Sequence, residues 1–282
     1  MQDHGPSEAS LRILRSCEGI WADRFLTSVL IPSIVSIQPS LGQAAVKILA
    51  NPLSCLKTFY SFYAFARRGK ERANSVKLAN EALQEWSSES TNVFALTNSE
   101  RFWEIFEDVC AVHHKKPLEQ LNRGLIAGIA DLAQEVYQNS QGASLATWIV
   151  GGIERTKRIE DCFMRMVDVR GVGPKTTSVF FRDIAYLFNM ESQIDHVDRL
   201  YVQPIDGTLR RLAPHIIQEP GIEGAADWIL AGKYSRITRK CGLSGIRFNM
   251  GAQYYGSIEG TRAVVMMDHA EPAFTLRNRD EN

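Results

Sequence analysis

The sequence predicts an all-α protein, and three observations carry that reading. Apolar residues recur at helical spacing through most windows, whereas strand-like alternation of useful length is hard to find. Several of these windows are preceded by helix start signals. The composition, 45% hydrophobic and 23% charged over 282 residues, is that of an ordinary globular chain and argues against collagen-like, coiled-coil and disordered classes.

In chain order, helices are expected over residues 10–30, 53–67, 74–86, 99–112, 117–137, 154–167, 174–188 and 207–215, with two more over 224–230 and 244–255. Asn98-Ser99-Glu100 opens the fourth of these ahead of an aromatic run. Pro117 and Pro174 stand at first-turn positions, where the missing N–H would have been unpaired anyway. Loops fall at 87–92, 139–143 and 189–194, where Asn, Ser, Gln and Gly cluster, and 278–282 reads as a frayed polar tail.

The 32 basic and 32 acidic residues cancel, so charge must be read segment by segment. The start, Met1-Gln2-Asp3-His4-Gly5-Pro6, has an acid and a proline where a signal peptide needs positive charge and then an apolar run. The most apolar stretch, 25–37, is shorter than a membrane span and is interrupted by Thr27, Ser28, Pro32, Ser33 and Ser36. Cys17, Cys55, Cys110, Cys162 and Cys241 lie far apart with no CxxC pair, so neither a disulfide framework nor a metal or iron–sulfur site is encoded. A cytoplasmic, reducing location without membrane attachment is therefore expected.

Residues 154–188 are the most informative stretch. Ile159, Cys162, Phe163, Met166 and Val167 make one apolar stripe, with Arg158, Glu160, Asp161 and Arg165 facing away. The stripe ends at Asp168-Val169-Arg170-Gly171-Val172-Gly173, two glycines around one apolar residue, and Pro174 opens the next helix. In such a hairpin the N–H groups and the positive end of the new helix face outward together and suit a phosphate oxygen. Lys175 follows in the first turn. A second motif follows, Pro204-Ile205-Asp206-Gly207-Thr208-Leu209-Arg210-Arg211, its carboxylate 31 residues after Lys175 at the start of a basic helix. By itself a Gly-x-Gly turn also serves merely to pack two helices, and Asp206 reads equally as an N-cap.

Together these residues resemble the helix-hairpin-helix DNA glycosylases, whose signature is Leu-Pro-Gly-Val-Gly-x-Lys followed by Val-Asp before a short basic helix. Val169, Gly171, Val172, Gly173 and Lys175 match the hairpin and its lysine; Ile205 and Asp206 match the apolar–aspartate pair. Arg170 stands where the family has proline, and Gly207-Thr208 where Thr-His is commoner. The spacing is similar to that of the archaeal 8-oxoguanine glycosylase branch, and the four-cysteine cluster loop of the endonuclease III type is absent, since only Cys241 lies beyond Asp206. The match covers about 55 residues.

The resemblance implies two helical lobes, 1–90 with 195–282 and 91–194, around an active-site cleft. It implies excision of a modified base from double-stranded DNA, with lyase activity, by a monomer acting in the nucleoid. No cofactor is implied beyond a monovalent cation held by hairpin carbonyls. Asp206 would stabilise the cationic sugar and Lys175 would attack it. Asp195, 20 residues after Lys175, is the rival carboxylate, and Asp198 lies nearby.

Gly171, Val172 and Gly173 would meet the DNA backbone, as would Lys233, Arg236, Arg239 and Lys240, which with Arg247 lie in a segment, 232–247, without an acid. Arg67, Arg68, Lys70, Arg72 and Lys77, opposed by Glu71, form a second basic segment. Trp148, Phe248, Tyr254 and Tyr255 are candidates to stack on an extruded base, although aromatics at helical spacing are usually core. His113-His114-Lys115-Lys116 reads as a polar helix end rather than a metal pair. Two alternatives remain: a non-catalytic DNA-binding module using the hairpin as a phosphate clamp, and a glycosylase directed at modified bases of foreign DNA.

Overall fold

A computed structural model describes residues 6–39, 44–65, 71–90, 92–95 and 99–259, and among these every regular element is helical. The elements are α1 (Glu8–Ser16), α2 (Ala22–Phe25), α3 (Ile31–Val35), α4 (Ala45–Ala50), α5 (Pro52–Phe59), α6 (Arg72–Ser88), α7 (Ser99–Val112), α8 (Glu119–Asn139), α9 (Leu145–Thr156), α10 (Glu160–Val167), α11 (Pro174–Leu187), α12 (Gly207–Ile217), α13 (Asp227–Lys240) and α14 (Gly245–Glu259). π turns stand at Cys17–Trp21, Leu26–Leu30 and Tyr60–Ala64, and short 3₁₀ turns at Arg199–Val202 and Ile222–Gly224. The expected end of the second helix at Arg67, the start signal Asn98 and the tail 278–282 lie outside the described residues.

Local chemistry explains most boundaries. Ser7 caps α1, Asn51 caps α5 ahead of Pro52, and Ser144 and Thr147 form a reciprocal capping box on α9. α8 begins at Glu119 rather than at Pro117 because Leu118 is left-handed (φ 52°, ψ 55°) and the Asn122 amide donates to the Pro117 carbonyl at 2.6 Å. The single helix expected over 154–167 is two. Lys157 takes a left-handed conformation at the end of α9, and α10 restarts three residues later. The expected helix over 224–230 is replaced by the turn Ile222–Gly224 and by α13, which runs on to Lys240.

The contacts group the chain into two compact units, 1–23 with 205–282 and 24–204. Residues 24–90 and 195–204 thus fall with the central unit, whereas the expected lobes put them with the termini.

The central unit is built on an aromatic cluster. Phe59 meets Phe180 edge-on with ring centres 5.2 Å apart, Tyr63 meets Phe180 at 5.0 Å, and Trp86 lies 5.1 Å from Phe102. Each such pair contributes about 0.5–1.5 kcal/mol beyond its buried area. The hydroxyls are satisfied: Tyr60 donates to the Ile126 carbonyl at 2.7 Å and Tyr63 to Asp183 at 3.0 Å. Asp183 is itself buried beside Arg182, 2.8 Å away, and burial pushes its carboxyl up despite that partner.

In the terminal unit α14 packs on the π turn Cys17–Trp21. A Cβ on Gly251 would lie 1.9 Å from the Cys17 carbonyl oxygen, and one on Gly256 would lie 1.9 Å from Thr208 Oγ1. These glycines let two backbones touch. Tyr234 packs against Phe248 in a tilted pair with ring centres 5.2 Å apart, and Trp21 lies 4.6 Å from Tyr255.

Candidate nucleic-acid interface

The hairpin begins where α10 runs out of apolar stripe. Asp168 N–H bonds the Met164 carbonyl, Val169 N–H bonds Met166, and Val172 N–H closes the turn on the Val169 carbonyl at 2.9 Å. Between them Gly171 takes φ +92°, a conformation that L side chains rarely adopt. Val172 turns inward and is 3% exposed. Gly173 is the extended N-cap of α11, its carbonyl accepting from the Thr177 N–H and hydroxyl, and Pro174 takes the first helical position. Pro174 and Lys175 are exposed, so the first turn of α11 presents its unpaired N–H groups and a cation outward together.

A seat on α8 holds this turn in place. A Cβ on Gly124 would lie 2.8 Å from the Arg170 side chain, one on Gly128 2.8 Å from Val169 Cγ1, and one on Gly171 3.1 Å from Leu125 Cβ. Residues four apart on one helix face therefore have no side chain where the hairpin sits. Beside the seat runs an open groove of about 920 Å³ with Asp131, Glu135, Asp168 and Arg170 among its walls. Its Arg123 is paired to Glu100 and Glu119, and its Arg165 to Glu135, so this side of the hairpin repels phosphates.

Lys175 belongs to the central unit and Asp206 to the terminal one. Asp206 is half-buried and caps α12, one carboxylate oxygen accepting from the Leu209 N–H at 2.8 Å. Arg210 is held by Asp227 and by the carbonyls of Glu223 and Ala225, and Arg211 reaches Thr208. Of the rival acids, Asp195 accepts from Val197 N–H and lies 3.0 Å from His196, on the surface.

Asp198 is 1% exposed and accepts from the N–H groups of Ile159 and Glu160 and from Arg158 Nε. Burial alone would raise its carboxyl. Arg158 and the two N–H groups outweigh that and hold it below the usual carboxylate range. Asp198 is therefore the clasp that restarts α10, a role sequence reading missed because its partners lie some forty positions away.

The basic segment is less uniformly cationic than it reads. Lys233 pairs with Glu219, and Arg247 pairs with Asp23 and Glu18, acids brought in from other elements of the terminal unit. Arg236, Arg239 and Lys240 are exposed on α13. In the second basic segment Arg72 donates to the Phe62 carbonyl, Lys77 is exposed, and Arg67, Arg68 and Lys70 lie outside the described residues.

The candidate stacking residues are mostly spent in packing. Phe248 is fully buried and Tyr255 is 5% exposed, because on α14 they fall with Ala252 at i, i+4 and i+7 on the inward face. Trp148 is buried under the Arg165 guanidinium, 5.8 Å from its ring, and Tyr254 is half-buried.

His113 pairs with Glu81 at 2.9 Å and His114 takes a left-handed conformation, as a polar helix end does. Among the described residues there is no group of three or more metal-ligating side chains, and no helix is long and apolar enough to cross a membrane.

No family model matches the chain, and neither does any curated protein or solved structure.

Proposed function

We propose that this chain is a DNA glycosylase with associated lyase activity, excising a modified base from double-stranded DNA. The observation that carries the reading is the glycine hairpin opening α11, seated on α8 with Lys175 exposed in its first turn. It is supported by the half-buried carboxylate of Asp206, which retains one oxygen beyond its cap bond for a developing positive charge.

In the proposed reaction the glycosidic electron pair leaves with the base, which takes up a proton, and Asp206 stabilises the cation that grows on the sugar. The Lys175 amine forms the new bond to C1′ as the base leaves; the C1′–O4′ bond then breaks, O4′ takes up a proton and the nitrogen loses one, leaving an imine with an opened sugar. Loss of a C2′ proton to water then forms the C2′–C3′ double bond as the bond to the 3′ phosphate breaks. Exposed backbone N–H groups at the hairpin hold the phosphodiester nearby.

Incubation with duplexes carrying single modified bases, followed by mass spectrometry of the medium, tests this directly. Release of at least one base, with a borohydride-trapped adduct lost in Lys175→Gln, is the expected result. No release from any duplex would overturn it. The exposure of Lys175 also favours a second reading, a non-catalytic clamp in which that lysine contacts a phosphate; such a protein binds duplexes but frees nothing.

A further inference from the structure

The exposed face of α13 carries a combination that the core does not require. Leu230, Ala231, Tyr234, Ser235 and Thr238 are its buried residues. On the outward side Trp228, Gly232, Arg236 and Arg239 follow at i, i+4, i+8 and i+11, one stripe along the helix. Trp228 is 68% exposed, while Trp86, Trp103 and Trp148 are each buried. An indole about two-thirds exposed on a helix surface is an unusual use of the largest apolar side chain.

Gly232 adds a second, independent observation. Glycine is among the weakest helix formers, and where this unit needs one, at Gly251 or Gly256, an added Cβ would collide with its neighbour. At Gly232 a Cβ would meet nothing within 4 Å. Packing does not call for glycine there, and its effect is to leave the helix surface flat between an aromatic ring and two guanidinium groups.

Charge supplies the third. Arg236 and Arg239 stand on the stripe and Lys240 beside it, while Asp227, the acid next to Trp228, is neutralised by Arg210.

We infer that this face binds an unpaired stretch of nucleic-acid strand, Trp228 stacking on one base while Arg236 and Arg239 hold phosphates across the flat at Gly232. Eleven residues of helix span about 16 Å, room for a few nucleotides. A ring standing on a helix surface stacks on a base only where that base has left its pair, so the occupant is single-stranded or locally opened DNA rather than an intact duplex. The inference rests on the glycosylase reading only in choosing nucleic acid as the polyanion.

Titration with a short single-stranded oligodeoxynucleotide, read by tryptophan emission and by anisotropy, tests it. Emission should be quenched in the wild type and unchanged by DNA in Trp228→Phe, with Trp228→Phe binding within about threefold of wild type. Trp228→Ala should bind about tenfold more weakly. Gly232→Glu, which adds bulk and negative charge while improving helix propensity, should bind at least as weakly with an unchanged or raised melting temperature.

Replacing Arg236 and Arg239 by Gln should lower the log–log salt slope by about 1.4, at about 0.7 per phosphate on a single strand. Unchanged affinity in both Trp228→Ala and Gly232→Glu would overturn the inference, as would quenching of Trp228 emission by a fully paired duplex as large as that by the single strand. Base release by a chain whose Trp228→Ala variant binds normally would sink this surface and leave the glycosylase reading standing. Trp228-dependent strand binding without any base release would do the reverse.

Discussion

Asp206 caps α12 with the same carboxylate that the proposed chemistry would use, and substitution can separate the two. Asparagine keeps an oxygen for the Leu209 N–H and caps nearly as well as aspartate, whereas alanine removes the cap at a cost of about 1 kcal/mol. Asp206→Asn should therefore melt like wild type, bind DNA and release no base, while Asp206→Ala loses both stability and release; a fully active Asp206→Asn with an inactive Asp195→Asn would move the chemistry to Asp195. Asp198 makes the opposite case, a carboxylate used wholly for architecture. Its folded pKa lies below the unfolded value of about 3.9, so the stability it contributes is complete above that value and drains away as pH falls through it. Asp198→Asn should cost about 1–3 kcal/mol at neutral pH and flatten the acid limb of the urea midpoint against pH. The cap at Asp206 was legible because its acceptor and donor are three residues apart. The clasp at Asp198 was not, because nothing local marks a carboxylate whose partners lie at the link between α9 and α10.

Elements tell the same story one level up. The turn at Gly171 and the proline start of α11 are written locally, and they form where expected. The seat beneath them is not written locally: Gly124 and Gly128 read as ordinary small residues of α8 until Val169 and Arg170 are found against them. A methyl at Gly128 must displace Val169, and one at Gly171 combines a positive φ with contact to Leu125. Gly128→Ala and Gly171→Ala should each destabilise the central unit by about 1–3 kcal/mol, measured by urea unfolding. Both should also weaken duplex binding although Gly128 lies off the exposed side of the turn; normal binding by both variants would remove the hairpin from the interface. The break at Lys157 is not marked locally, since Glu154 to Arg158 include neither glycine nor proline, and only a left-handed backbone ends α9. Trp228 escaped because the short helix expected over 224–230 hid that α13 runs on to Lys240 and carries the arginines on the same stripe.

At the scale of the molecule, the all-α class was legible from periodicity alone, whereas the grouping into units was not, since it depends on which faces meet across long separations. The cysteines provide a probe of that grouping. Cys17 in the terminal unit and Cys55 in the central one are both buried, and burial pushes each thiol up to about 12; Cys110 and Cys162 are buried as well, and Cys241 is half-exposed. Thiolate is the reactive form, so a thiol reagent near neutral pH should modify Cys241 in the native protein and leave the other four. Reaction of the remainder then requires opening. The terminal unit is the smaller, and Cys17 sits in a π turn whose contact with α14 depends on Gly251. A smaller unit buries a smaller share of its surface. Cys17 should accordingly become reactive at a lower urea concentration than Cys55, as read by mass spectrometry of labelled peptides, and Gly251→Ala should lower the Cys17 threshold while leaving that of Cys55 in place. Simultaneous labelling of both thiols in wild type and variant would mean that the two units unfold as one.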